Sequence, residues 1–159
     1  MRTLRWCFLP LVIALLLPLG AFAADEHDSP LHEQMEAINH NFRLVNRQYA
    51  DPSQKASTLE FVAAMQQHAE KARTLTPPKA DKLTGDDQAK YLDTFHKDID
   101  ALIKEIGLLQ QAIAADKLDV AKAEIDKIQQ LKGSSHKELG VGKDHGQGGP
   151  PPPGSLPGH

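Results

Sequence analysis

The stretch LDTFHKDIDALIKEIGLLQQAI, residues 92–113, decides the fold. Its apolar residues Leu92, Phe95, Ile99, Leu102, Ile106, Leu109 and Ile113 alternate steps of three and four without a miss. That spacing lines one face of an α-helix. A seam of this length needs a partner surface, and three further segments supply it. The first opens at Ser29-Pro30, a cap residue with proline at the first helical position, and carries Leu31, Met35, Ile38, Phe42, Val45 and Tyr49 at the same spacing. Asp51-Pro52 ends it, and Ser53 is placed to cap the second.

The second segment runs roughly from Gln54 to Leu75, with Leu59, Val62, Met65, Ala69 and Ala72 inward and Phe61 on the flank. Thr76-Pro77-Pro78 stops it, because proline lacks an N–H and restricts the residue before it. Lys79 to Asp87 reads as a polar connection. Asp116-Lys117 marks a turn before the fourth segment, which carries Ala121, Ile125, Ile128 and Leu131. His136 follows Ile125 by eleven residues and returns to within roughly 20° of the same azimuth. Gly140 is the expected stop. Four amphipathic helices with short connections predict an all-α fold, an antiparallel up-down-up-down four-helix bundle over residues 24–139.

Residues 1–23 read as a signal peptide. Arg2 and Arg5 precede an apolar run from Trp6 to Leu19, interrupted by Pro10 and Pro18, and Ala21-Phe22-Ala23 forms a small-x-small cleavage site. The run is short and broken for a bilayer-spanning helix of about 20 residues. The expected location is the periplasm, with no membrane attachment after cleavage. Of 18 Lys+Arg, cleavage removes two, leaving 16 against 21 Asp+Glu and a net charge of −5. It also removes Cys7, the single cysteine, so the mature chain can form no disulfide, thiolate metal site or covalent Cys-x-x-Cys-His haem attachment. Mild acidity argues against nucleic acid as a partner. Residues 140–159, rich in Gly and Pro and including Pro150 to Pro153, read as a disordered tail with polyproline II character in the proline run.

An up-and-down bundle places Met35, about 8 Å in from Pro30, and His136, about 5 Å back from Leu139, at the same end. Methionine on an apolar stripe is ordinarily core filler, and histidine near a helix C-terminus ordinarily answers the helix dipole. Together they make a thioether and an imidazole facing one pole. Two such donors are a poor cage for zinc. Copper(I) accepts both, which leaves a haem-free periplasmic bundle that binds copper or acts in envelope stress as the alternative. Iron porphyrin brings four equatorial nitrogens and needs only two axial ligands. The other histidines carry less. His32, His40, His68 and His96 lie beside the seams and read as solvated, and Asp93-x-x-His96 is a single carboxylate–histidine pair where a di-iron bundle needs two. His145 and His159 fall in the tail. No phosphate loop or nucleophile elbow appears, so an enzyme is not expected.

The segment Met35-Glu36-Ala37-Ile38-Asn39-His40-Asn41-Phe42-Arg43, the break Thr76-Pro77-Pro78-Lys79, Phe95 and His136 resemble the cytochrome b562 family. The resemblance spans Leu31 to about Leu139. It implies a four-helix bundle binding one non-covalent haem b, with Met35 and His136 as axial ligands and Phe95 packed on the porphyrin. Leu31, Ile38, Met65, Phe95 and Ile99 are the expected pocket. Lys132 stands where an arginine near the haem propionates is expected, and Gly140 where another basic residue is. Ile99 takes a second aromatic position and Ser135 a tyrosine position. The implied role is electron transfer to a redox partner protein.

Overall fold

The computed structural model describes residues 29–140, which form four α-helices: α1 Pro30–Gln48, α2 Lys55–Arg73, α3 Gly85–Ala114 and α4 Leu118–Leu139. The leader over residues 1–23 and the tail beyond Gly140 lie outside the described residues. At the head of α1 the Ser29 hydroxyl accepts from the His32 N–H at 3.1 Å, with Pro30 in the first turn. This is the cap that the Ser-Pro pair predicts.

Two boundaries differ from the sequence reading. Ser53 does not cap α2; the Asp51 carboxylate instead accepts from the Ser53 N–H at 2.9 Å and its hydroxyl at 2.7 Å, closing a 3₁₀ turn over Pro52–Gln54. The second helix then starts at Lys55 and ends at Arg73, two residues before Leu75. Its inward face takes Thr58 rather than Leu59, which is half-buried. The Thr58 hydroxyl donates to the Gln54 carbonyl at 2.8 Å, so it enters the core with its polar atom satisfied. The reading of Lys79 to Asp87 as connection is too long. A 3₁₀ turn occupies Pro78–Lys82 and α3 begins at Gly85. Asp86 and Asp87 belong to its first turn, where carboxylates answer the partial positive charge of the exposed N–H groups.

Side-chain ties fix the directions of the helices. Gln48 Nε2 reaches Ser57 Oγ at 3.1 Å, and His68 Nδ1 lies 2.8 Å from Gln34 Oε1, so α1 and α2 are antiparallel. Lys55 Nζ donates to the Ala114 carbonyl at 2.9 Å, and Arg73 pairs with Asp100, so α2 and α3 are antiparallel. The turn into α4 is sharp: Asp116 adopts φ 57°, a left-handed conformation that aspartate tolerates better than most residues. Lys55 Nζ also holds its carboxylate at 2.7 Å. Helix α1 packs on α2, α2 on α3 and α3 on α4, while the backbones of α1 and α4 approach each other at few points.

The α3 seam reads through almost unchanged: Phe95, Ile99, Leu102, Ile106, Leu109 and Ile113 are buried, and only Leu92 is half-exposed. The apolar interior falls into two clusters. A central one joins Val45, Val62, Met65, Ile106, Leu109 and Ile125 with their neighbours. A smaller one at one pole joins Ala72, Phe95, Ile99 and Leu139. Ile106 is fully buried; truncation to alanine in Ile106→Ala should cost about 2–5 kcal/mol in urea unfolding, from lost transfer energy and the cavity left behind.

Periodicity does not disclose one buried group, Glu124, 6% exposed on the inner side of α4. Both its oxygens accept from Lys127 Nζ, at 2.9 and 3.0 Å. Glu105 of α3 lies across the seam with its buried Oε2 3.8 Å from the same ammonium. The hydrogen bond from Lys127 holds Glu124 below the ordinary glutamate range. The hydrogen bond with Glu124, then burial and the Glu124 charge, push Glu105 above it. The stabilisation from Glu105 is therefore present while it is protonated and is lost as pH rises through its folded value. That from Glu124 is present above the ordinary range and is lost as pH falls through its depressed value. Glu105→Gln keeps a neutral partner for Glu124, so the melting temperature of the variant should gain on the wild type as pH rises from about 5 to about 8. A constant difference across that range would contradict the shared proton.

Candidate haem site

The pole with the smaller cluster gathers the start of α1 and the end of α4. Gln34, next to Met35, meets His68 near the end of α2, and Lys79, just past α2, donates to the Leu139 carbonyl at 2.6 Å. Leu31 and Met35 of α1, Tyr91 and Ile103 of α3 all pack against the cluster of Ala72, Phe95, Ile99 and Leu139. All four helices contribute. Met35 is half-buried and borders both apolar clusters. His136 is half-buried on α4, one turn before Leu139.

Of the pocket residues expected from sequence, Leu31, Phe95 and Ile99 join Met35 at this pole. Ile38 and Met65 do not belong to the polar-end cluster; they lie in the central core, against which Met35 also packs. Met65 is fully buried there, and the buried residues of α2 nearer the pole are the small Ala69 and Ala72. Lys132 is exposed one turn before His136. Burial first, and the Lys132 charge second, hold His136 below the ordinary imidazole range, which favours the neutral ring whose nitrogen can bind a metal.

Sequence reasoning missed four contributors. Ala72 was read as inward-facing on the second helix but not as part of the pocket; it is fully buried in the cluster with Phe95. Tyr91 precedes the recognised seam by one position. Leu139 was legible as the residue three after His136, on the same side of the helix. Lys79 was visible only as the last letter of the Thr-Pro-Pro-Lys break. A further correction concerns His68, read as solvated: it is half-buried and braces α1 beside Met35 through Gln34.

The donor chemistry fits iron porphyrin better than a bare ion. Among the described residues no three His, Cys, Asp or Glu side chains gather where they could hold a metal. A thioether, a neutral imidazole and an apolar floor from four helices suit a planar group that brings its own equatorial nitrogens. The α1/α4 seam, where the two backbones approach each other at few points, lies between the two donor-bearing helices. Fold and site together define a haem-binding four-helix bundle. The sequence profile of cytochrome b562 matches residues 30–139, and the chain belongs to that family. Its cofactor is accordingly non-covalent haem b, with iron, and the family's role is electron carriage. No curated protein and no solved structure matches the chain.

The end of α4 is closed by Gly140 in the left-handed conformation, φ 65°, with its N–H bonded to the His136 carbonyl. A Cβ there would stand 2.6 Å from Lys79 Nζ. Gly140→Ala should therefore lower stability by about 1–2 kcal/mol, the cost of a left-handed non-glycine residue, with loss of hydrogen-exchange protection concentrated at the end of α4. Unaltered protection there would contradict this reading of the cap.

Proposed function

We propose that this chain is a periplasmic electron carrier in which Met35 and His136 are the two axial ligands of haem b. The observation that carries the reading is the placement of Met35 and Leu139 in one apolar cluster, with His136 a single turn from Leu139. When bound, the haem iron supplies one-electron redox chemistry. The chain's own residues then have separate tasks. Met35 presents a thioether, which favours ferrous iron and raises the potential. His136 presents an imidazole kept neutral chiefly by burial. Leu31, Phe95 and Ile99 exclude water from the faces of the ring, Ile38 and Met65 close its inner edge, and Lys132 offers positive charge at the surface beside His136. With both axial positions filled by protein, no coordination site remains for a substrate.

The periplasmic assignment rests on the leader, and the partner is a redox protein that docks near this pole. No helix among the described residues is long and apolar enough to cross a membrane. A copper reading would rest on the same two donors, with no third His, Cys, Asp or Glu gathered beside them among the described residues.

Haemin titrated into the mature protein should give six-coordinate low-spin spectra in both oxidation states. Met35→Ala and His136→Ala should each abolish those bands. Unchanged spectra in both variants would rule out this ligation. Bound haem should also raise the stability of the native state, by about 2.7 kcal/mol at a free concentration one hundred times Kd.

A further inference from the structure

Lys79 follows the Pro77-Pro78 break, yet its side chain belongs to the other end of the chain. Its Nζ donates to the Leu139 carbonyl at 2.6 Å and lies 5.6 Å from the centroid of the Tyr91 ring. Leu139 and Tyr91 both belong to or pack on the cluster that holds Met35, Phe95 and Ile99. The ammonium thus stands on the rim of the apolar site. Gly140 is what admits it: with no Cβ, this residue leaves clear the space that any other side chain would share with Nζ at 2.6 Å.

An ammonium has three N–H donors. One is used on the Leu139 carbonyl, and the other two meet no acceptor among the described residues. The Leu139 carbonyl is one of the groups left without an intrahelical partner at a helix C-terminus, where partial negative charge collects and a cation is favoured. One hydrogen bond to that terminus fixes the ammonium in place while leaving donor capacity directed elsewhere. A flat apolar group lodged among Met35, Phe95 and Leu139 would carry its acidic substituents at the rim. Two spare N–H donors on a fixed cation match a carboxylate there.

We propose that Lys79 is a ligand-binding residue of this site: it recognises a carboxylate of the bound porphyrin while capping α4. The inference rests on the haem reading above and adds a specific role for a residue outside the axial pair. It also separates Lys79 from Lys132, which is exposed on α4 and makes no hydrogen bond to the α4 terminus.

The test compares haemin, which carries two propionates, with haemin dimethyl ester, which carries none in ionised form. Both are titrated into the wild-type chain and into Lys79→Gln and Lys79→Met. Glutamine keeps an N–H donor for the Leu139 carbonyl without charge; methionine removes both. Far-UV circular dichroism of the unloaded variants tracks the helix content of α4. The expected result is a loss of about tenfold in haemin affinity for both variants, as a charge-assisted hydrogen bond contributes, with no loss for the ester. The wild-type advantage should shrink at high salt.

Equal losses with both ligands would show that Lys79 acts only by holding α4, and would overturn the proposal. Unchanged haemin affinity in Lys79→Gln would overturn it too. Failure of the axial assignment is read separately. A wild type that binds haemin without low-spin bands dependent on Met35 and His136 would sink that assignment, while the haemin-to-ester ratio would still decide the role of Lys79.

Discussion

Alternating chain direction brings the start of α1 and the end of α4 to one pole, and the chemistry of the molecule depends on that juxtaposition. Neither Met35 nor His136 has an unusual local environment by itself. Each sits at an ordinary seam position of an amphipathic helix. What makes them a pair is the long α3, against which α2 and α4 both pack, and the ties that keep the helices in register along it. Lys55 holds the α3–α4 turn from the head of α2, at the opposite pole. At the near pole His68 through Gln34 ties α1 to α2, and Lys79 through Leu139 ties the α2–α3 connection to the end of α4.

The two poles are packed to different standards. The central cluster is closed by fully buried Val62, Met65, Ile106, Leu109 and Ile125, where a methylene out of place would be felt. Toward the haem pole, α2 offers only Ala69 and Ala72, while Leu31 and Met35 stay half-buried. Few backbone approaches join α1 to α4. A bundle optimised only for stability would fill that seam with larger side chains. At this pole α2 contributes the small Ala69 and Ala72, and the half-buried Leu31 and Met35 of α1 lie nearest the end of α4.

The helices and their seams were readable because the periodicity is almost unbroken. Burial followed the predicted stripe in α3, and the Ser29-Pro30 start and Gly140 stop were both local signals with a direct mechanism. The misreadings came from groups whose role is set by distant residues. Ser53 yields its expected cap role to Asp51, two residues earlier, which closes a 3₁₀ turn first. Glu124 violates the rule that seams are apolar, and only the facing Glu105 and nearby Lys127 make its burial tolerable. His68 and Lys79 act across helices 34 and 60 residues away in the chain, a distance at which no pattern of spacing speaks. Met35 and His136 stand out in the sequence because both fall on stripes; the cluster around Met35 was legible only in part, because small residues and a loop lysine carry no periodic signal.

The last turns of α4 show what such a design demands. Gly133 is exposed, with nothing near its absent side chain, and weakens the helix by about 1 kcal/mol relative to alanine. The end of α4 is therefore supported by Leu139 in the polar-end cluster, by the αL cap at Gly140 and by the Lys79 hydrogen bond. Intrinsic helix propensity is a minor term there, and tertiary contacts decide whether the turn forms.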